Sequence, residues 1–170
     1  MVVAEIIQND TAKLLEDKKL SEAQSIIASI YLPVSHQQLL LPNVSVAEVV
    51  GYQQPIKSMD SPEHFLGIVR WRGIDIPVIS YEIANGQKPD KKTNNARIAV
   101  INSIGDNHHK LPFFAIVTQG IPRLVKVSSD LIKKSKKKKG NADTVIVKVD
   151  GEEAVIPNIA YLETLALSEL

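Results

Sequence analysis

Two strand-like runs, residues 66–71 and 74–80, stand two residues apart, and the pair between them is Arg72-Gly73. A connection this short suggests a tight β-hairpin, in which Gly73 supplies a turn conformation that other residues resist. Pro77 lies inside the second run. Because proline cannot donate to a ladder, it belongs at an edge, a bulge or a bend. Both features suit a small, strongly curved barrel better than a flat sheet. The remaining chain repeats the pattern. Runs at 26–34, 38–41, 44–52, 97–102, 113–118, 121–127, 144–149 and 154–156 are rich in Val, Ile, Leu and Phe. They are separated by Pro42-Asn43, the polar loop 53–63, the loop 85–95, the turn 103–110, the lysine-rich stretch 133–140 and the hairpin signal Asp150-Gly151. About ten short strands with turn signals every 8–12 residues predict an all-β sandwich or barrel.

Helical periodicity appears only at the two ends. Residues 2–24 carry Val2, Val3, Ile6, Ile7, Leu14, Leu15 and Leu20 at spacings near three, four and seven. Asn9, Asp10 and Thr11 form a weak internal cap, so one broken helix or two short ones both fit. At the other end Asn158 is placed to cap a helix over 159–167, with Ile159, Leu162, Leu165 and Ala166 on one face. The expected organisation is an N-terminal helical extension over 1–25 and a β-rich domain over 26–170. With 44% apolar residues, the chain can fill a core. A net charge of +1 gives no global attraction to nucleic acid or acidic surfaces. Cysteine is absent, which removes disulfides, thiolate nucleophiles and Cys-based metal sites. The N-terminus lacks the basic and apolar regions of a signal peptide, and no apolar stretch approaches the ~20 residues that cross a bilayer. The expectation is a cytoplasmic protein without direct membrane insertion.

The segment Val46-Ala47-Glu48-Val49-Val50-Gly51-Tyr52 resembles the V-x-E-[IV]-x-G-Y stretch of CheW-like domains. After a Pro-bearing loop, Gly67-Ile68-Val69-Arg70-Trp71-Arg72-Gly73-Ile74-Asp75-Ile76-Pro77-Val78-Ile79 resembles that family's G-V-x-N-L-R-G-x-x-[IV]-P-[VI]-[IV]. The likeness spans roughly residues 26–167. Within the family, residues 39–44 and 117–125 are most similar to ChpC-type adaptors of the chemosensory system that controls type IV pili. The resemblance implies two packed five-stranded SH3-like β-barrels with a shared apolar core. It implies scaffolding without catalysis or cofactor, linking a chemoreceptor's cytoplasmic tip to the regulatory domain of a CheA-type histidine kinase. Three positions depart from the pattern: Arg70-Trp71 stands where the family has Asn-Leu, Ser80 where Asp often follows, and Val117-Thr118 where Val-Asp is usual.

The resemblance places Val46, Glu48, Tyr52, Trp71 and Arg72 in a partner-binding region. Glu48 and Arg72 are expected to meet through a charge-assisted bond, which either recognises a partner or ties two strands. Val46 is either a receptor contact or barrel core. Trp71, the single tryptophan, is either an interface anchor on an exposed hairpin or packing between the barrels. The run from Lys133 to Lys139 reads as a solvated, mobile loop, or else as a salt-sensitive contact with an acidic partner. Its alternative is a nucleic-acid-binding barrel, but the run holds no aromatic residue for base stacking. His108-His109, with only Asp106 near, falls short of a metal ligand set. Neither a G-x-S-x-G elbow nor a P-loop, G-x-G-x-x-G or H-E-x-x-H motif is present, so no catalytic constellation is expected.

Overall fold

The inner strand-forming runs are apolar on consecutive residues because both of their faces are buried. In β6 (Arg97–Asn102) and β7 (Phe113–Thr118), alternate side chains serve two different interiors. Ile98, Val100, Ala115 and Val117 pack into one cluster, while Ala99, Ile101, Phe114 and Ile116 pack into another. A strand with one wet face would alternate apolar and polar residues; these do not.

The computed structural model describes residues 2–24 and 26–170, with side chains described over 7–20 and from 26 onward. After α1 (Val2–Gln24) come β1 (Ile26–Val34), β2 (Gln37–Pro42), β3 (Val46–Gly51), β4 (Phe65–Trp71), β5 (Ile74–Ile79) and α2 (Tyr81–Ala84). Then follow β6, β7, β8 (Arg123–Ser128), β9 (Ile132–Lys134), β10 (Asp143–Val149), β11 (Glu152–Pro157) and α3 (Ile159–Leu167). Two sheets result, ordered β3-β6-β7-β5-β4 and β8-β1-β2-β11-β10-β9. Each joins two antiparallel hairpins through one parallel pair, β5 with β7 and β2 with β11. The shared plan is therefore topological, with no repeat in the sequence behind it. One cluster fills the interior of each sheet, around Trp71 and Ile98 in one and around Tyr31 and Val147 in the other. The largest cluster lies between the sheets and takes in Leu32, Leu39, Ile79, Phe114 and, from α3, Leu162 and Ala166.

The expected pair of closed five-stranded barrels needs correction. The sheets have five and six strands, and neither ladder closes. In the five-stranded sheet, β3 ends at Gly51 and the chain leaves as a loop. That loop touches β4 through one bridge, in which Ile56 and Ile68 exchange bonds of 2.9 and 2.8 Å. Gly67 permits the approach: its φ is +126°, and an added Cβ would lie 2.4 Å from the Ile56 carbonyl oxygen. The extra strand, β9, comes from the lysine-rich stretch, where Lys133 and Lys134 pair with Lys148 and Val147 of β10. Pro77 fits its expected place, because β5 begins to pair with β7 only at Val78.

The ends match the helical expectations with one difference. α1 is one continuous helix; the Thr11 hydroxyl donates to the Ile7 carbonyl at 2.7 Å, so its polar group is satisfied without a break. Its side chains over 7–20 are exposed, and those of Val2, Val3 and Ile6 lie outside the described residues, as does Ser25 at the expected domain boundary. The backbone N–H of Tyr161 donates to Asn158 Oδ1 at 3.0 Å, capping α3 as its sequence suggests.

α2 was not anticipated. Ser80 caps it by accepting from the Ile83 N–H at 3.3 Å, the task an Asp at that position would also perform. From α2 a buried polar network crosses to the other sheet. Tyr81 donates to Asp143 and accepts from Gln37 Nε2 at 2.9 Å. Asn85 accepts from the Ala142 N–H at 2.8 Å, and the Ser35 N–H donates to Glu82 at 3.0 Å. Burial, followed by the bond to Asp143, pushes the Tyr81 hydroxyl well above its ordinary range, so it donates throughout the neutral range. Removing the hydroxyl strips a buried carboxylate of a donor. Tyr81→Phe should therefore lower unfolding stability by about 1–3 kcal/mol, seen in urea titration as an earlier midpoint with an unchanged slope.

Candidate functional site

β3 and β4 are the two ends of the five-stranded sheet, yet their side chains meet. The sheet curls until Glu48 of β3 reaches the tip of the β4–β5 hairpin. Trp71 Nε1–H donates to Glu48 Oε2 at 2.8 Å, and Arg72 Nε–H donates to the same oxygen at 3.1 Å. The Arg72 guanidinium carbon sits 5.1 Å from the centre of the Trp71 ring. One carboxylate oxygen thus joins an indole and a guanidinium across the mouth of the sheet, closing with side chains what the backbone leaves open.

The local sequence forces this arrangement. Arg72 and Gly73 have φ of +45° and +80°, the paired left-handed conformation of a two-residue hairpin turn. Register then sets Trp71 opposite Ile74 and Arg70 opposite Asp75, and the latter pair forms a 2.9 Å ion pair behind the turn. On β3, the register against β6 slips between Val46 and Glu48, from Ile101 to Val100. Without this bulge the two residues would share a face. With it, Val46 packs on the cluster between the sheets, while Glu48 opens toward the interior of its own sheet.

Of the five residues expected to form the site, the fold brings Glu48, Trp71 and Arg72 together and separates Val46 from them. Tyr52 packs at the edge of the Trp71 cluster, with Lys92 Nζ 3.8 Å from its ring centre and its hydroxyl donating to Gln54 at 3.0 Å. Trp71 is neither an exposed anchor nor packing between the sheets. It is 8% exposed, inside one sheet, with Phe113 edge-on at 4.9 Å. Burial places its N–H where Glu48 can accept it; a leucine there would carry no donor. Arg72 stays 68% exposed at the side chain and presents its charge outward. The Glu48–Arg72 contact is a single bond rather than a bidentate one. Two supporting residues escaped the sequence reading: Phe113, for which no local signal exists, and Asp75, which hairpin register alone would have paired with Arg70.

The other expected features sit apart. Part of the lysine run is strand rather than free loop, with Lys137 paired to Glu153 at 2.8 Å. His108 and His109 lie on an exposed turn. Among the described residues, no group of three or more His, Asp or Glu is placed to hold a metal ion, and no helix is long and apolar enough to cross a membrane.

Comparison with known proteins fits this geometry. The family model of the CheW-like domain matches residues 30–165, and the chain belongs to that family, whose members are scaffolds rather than enzymes. Among solved structures, the scaffolding protein TtCheW from Thermoanaerobacter tengcongensis superposes with a TM-score of 0.68 at 20% identity, covering 80% of this chain and 91% of that one. At that identity the likeness is one of fold. No curated protein matches in sequence.

The bond from Trp71, and then the charge and bond of Arg72, hold the Glu48 carboxyl below the ordinary value of 4.5. A depressed carboxylate keeps its bonds at neutral pH and loses them as pH falls through the lowered value. Since there is one tryptophan, a single indole N–H resonance reports the event. Its shift should titrate with a midpoint below 4.5, and the titration should vanish in Glu48→Gln.

Proposed function

We propose that this chain is a chemotaxis-type adaptor that couples the cytoplasmic tip of a chemoreceptor to the regulatory domain of a CheA-type histidine kinase. It acts in the cytoplasm, within the signalling system that controls type IV pili. The observation that carries the reading is the Glu48–Trp71–Arg72 constellation, a charged, preorganised surface on a family scaffold. Holding Arg72 in place before a partner arrives lowers the ordering cost of binding. In this reading Arg72 and Glu48 make the contact. Trp71 positions both, and Val46 and Tyr52 support the surface through the clusters beneath it. The pilus assignment is supported by the likeness of residues 39–44 and 117–125 to ChpC-type adaptors. Adaptor work needs no acid, base or cofactor, only two partners held at a fixed spacing.

Arg72→Ala separates recognition from folding. The Glu48 and Arg72 side chains are 37% and 68% exposed, so losing the pair should leave the melting temperature nearly unchanged. Capture of a purified receptor cytoplasmic fragment or kinase regulatory domain should weaken about tenfold, as for a contact residue at the centre of an interface. Unchanged capture by the folded variant would move the site elsewhere on the domain. Failure of the unaltered protein to bind either partner would remove the adaptor reading itself.

A further inference from the structure

The lysine-rich stretch remains outside the adaptor site. It belongs to the six-stranded sheet, whereas Glu48 and Arg72 belong to the other. Lys133, Lys134, Ser135, Lys136, Lys137, Lys148 and Glu153 line a groove of about 570 Å³. Glu153, the one carboxylate in the lining, is engaged by Lys137 at 2.8 Å. Among the described residues, Lys133, Lys134, Lys136 and Lys148 form no ion pair. Lys133 and Lys148 stand opposite each other and share one face with Lys137 and Glu153, while Lys134, next along β9, points to the other face. Asp130 and Asp150 lie beside Lys133 and Lys148 without pairing to them, so lysines still outnumber carboxylates along this edge.

The groove runs beside an open sheet edge. β9 pairs with β10 on one side and ends the sheet on the other. The Ser135 N–H donates to the Ile146 carbonyl at 2.8 Å, which turns residue 135, and by alternation residue 133, toward β10. Lys134 then directs its backbone N–H and C=O outward, beside the Ile132 carbonyl, while the Ile132 N–H donates to the Ser129 carbonyl. An extended chain laid against this edge finds the Lys134 N–H and C=O and the Ile132 carbonyl to pair with, and ammonium groups beside them for its acidic side chains.

We infer that the β9 edge is a second docking site, one that takes an extended, Asp/Glu-rich segment of a partner protein as an added strand. Single-stranded nucleic acid fits the surface less well, because no lining residue is aromatic and bases find nothing to stack on. A flat anionic membrane matches neither the concavity nor the strand edge. Lysines on an edge strand also discourage self-association, so the site repels a second copy of its own β9 while admitting an acidic strand.

The test is fluorescence anisotropy with a labelled ten-residue peptide of alternating Glu and Val, run beside a Gln/Val peptide of equal length, a labelled oligothymidylate and vesicles containing phosphatidylserine. The acidic peptide should bind at low salt, with affinity falling steeply as salt rises. K133Q/K134Q/K136Q/K148Q should bind it about tenfold more weakly, with the melting temperature and circular dichroism unchanged as a check on folding. Lys134→Pro removes an outward N–H, and Lys134→Gln removes the same charge but keeps the N–H; the proline variant should be the weaker of the two. Equal binding by these two variants, by the four-lysine variant and the parent, or by the Gln/Val peptide would overturn the inference. So would tighter binding of the oligonucleotide or the vesicles. Because Arg72 is untouched in every variant, none of these outcomes bears on the adaptor site.

Discussion

The structure depends on keeping both faces of its inner strands dry. β6 and β7 contribute to two apolar clusters at once, so a change in the register of either strand would exchange the contents of both. This constraint makes the sheets curl, since a flat sheet offers no interior on its second face. It also explains why β3 carries a bulge: the strand must give Val46 to one compartment and Glu48 to the other. The carboxylate that joins Trp71 and Arg72 follows from that one-residue slip.

Curvature without ladder closure leaves both sheets with ends, and the two sheets manage them differently. In one, Glu48 stitches the ends together through an indole and a guanidinium. In the other, β9 extends the sheet and surrounds its last edge with lysines. A fully closed barrel would have consumed these edges in backbone pairing. The unclosed form leaves the last edge of each sheet to side chains and loops.

The hairpin at Arg72-Gly73, the consecutive apolar runs and the Asn158 cap were legible in the sequence because each depends on neighbours a few residues apart. The meeting of Glu48 and Arg72 was legible only through resemblance, because the residues lie on opposite ends of a sheet. The inward turn of Trp71 was not legible, since an indole beside an exposed arginine fits either side of a hairpin. The bulge at Val46 leaves no mark in a run of Val, Ala and Glu. β9 was hidden because lysine is a poor strand former, and its place on the edge is set by β10. α2, at four residues, is too short for periodicity, and its signal was the capping Ser80.

The two sheets also differ in how the chain supplies them. All of β3 to β7 lies within residues 46–118, whereas the six-stranded sheet needs β1 and β2 from before that segment and β8 to β11 from after it. During synthesis the inner unit has its full complement of strands while the final hairpin is still inside the ribosome. The outer unit waits, with Leu39 and Leu41 uncovered, until β11 arrives to lie parallel to β2. Until then the inner unit, though its strands are complete, keeps Ile101, Phe114 and Ile116 uncovered as well, because that face is buried only against the outer sheet.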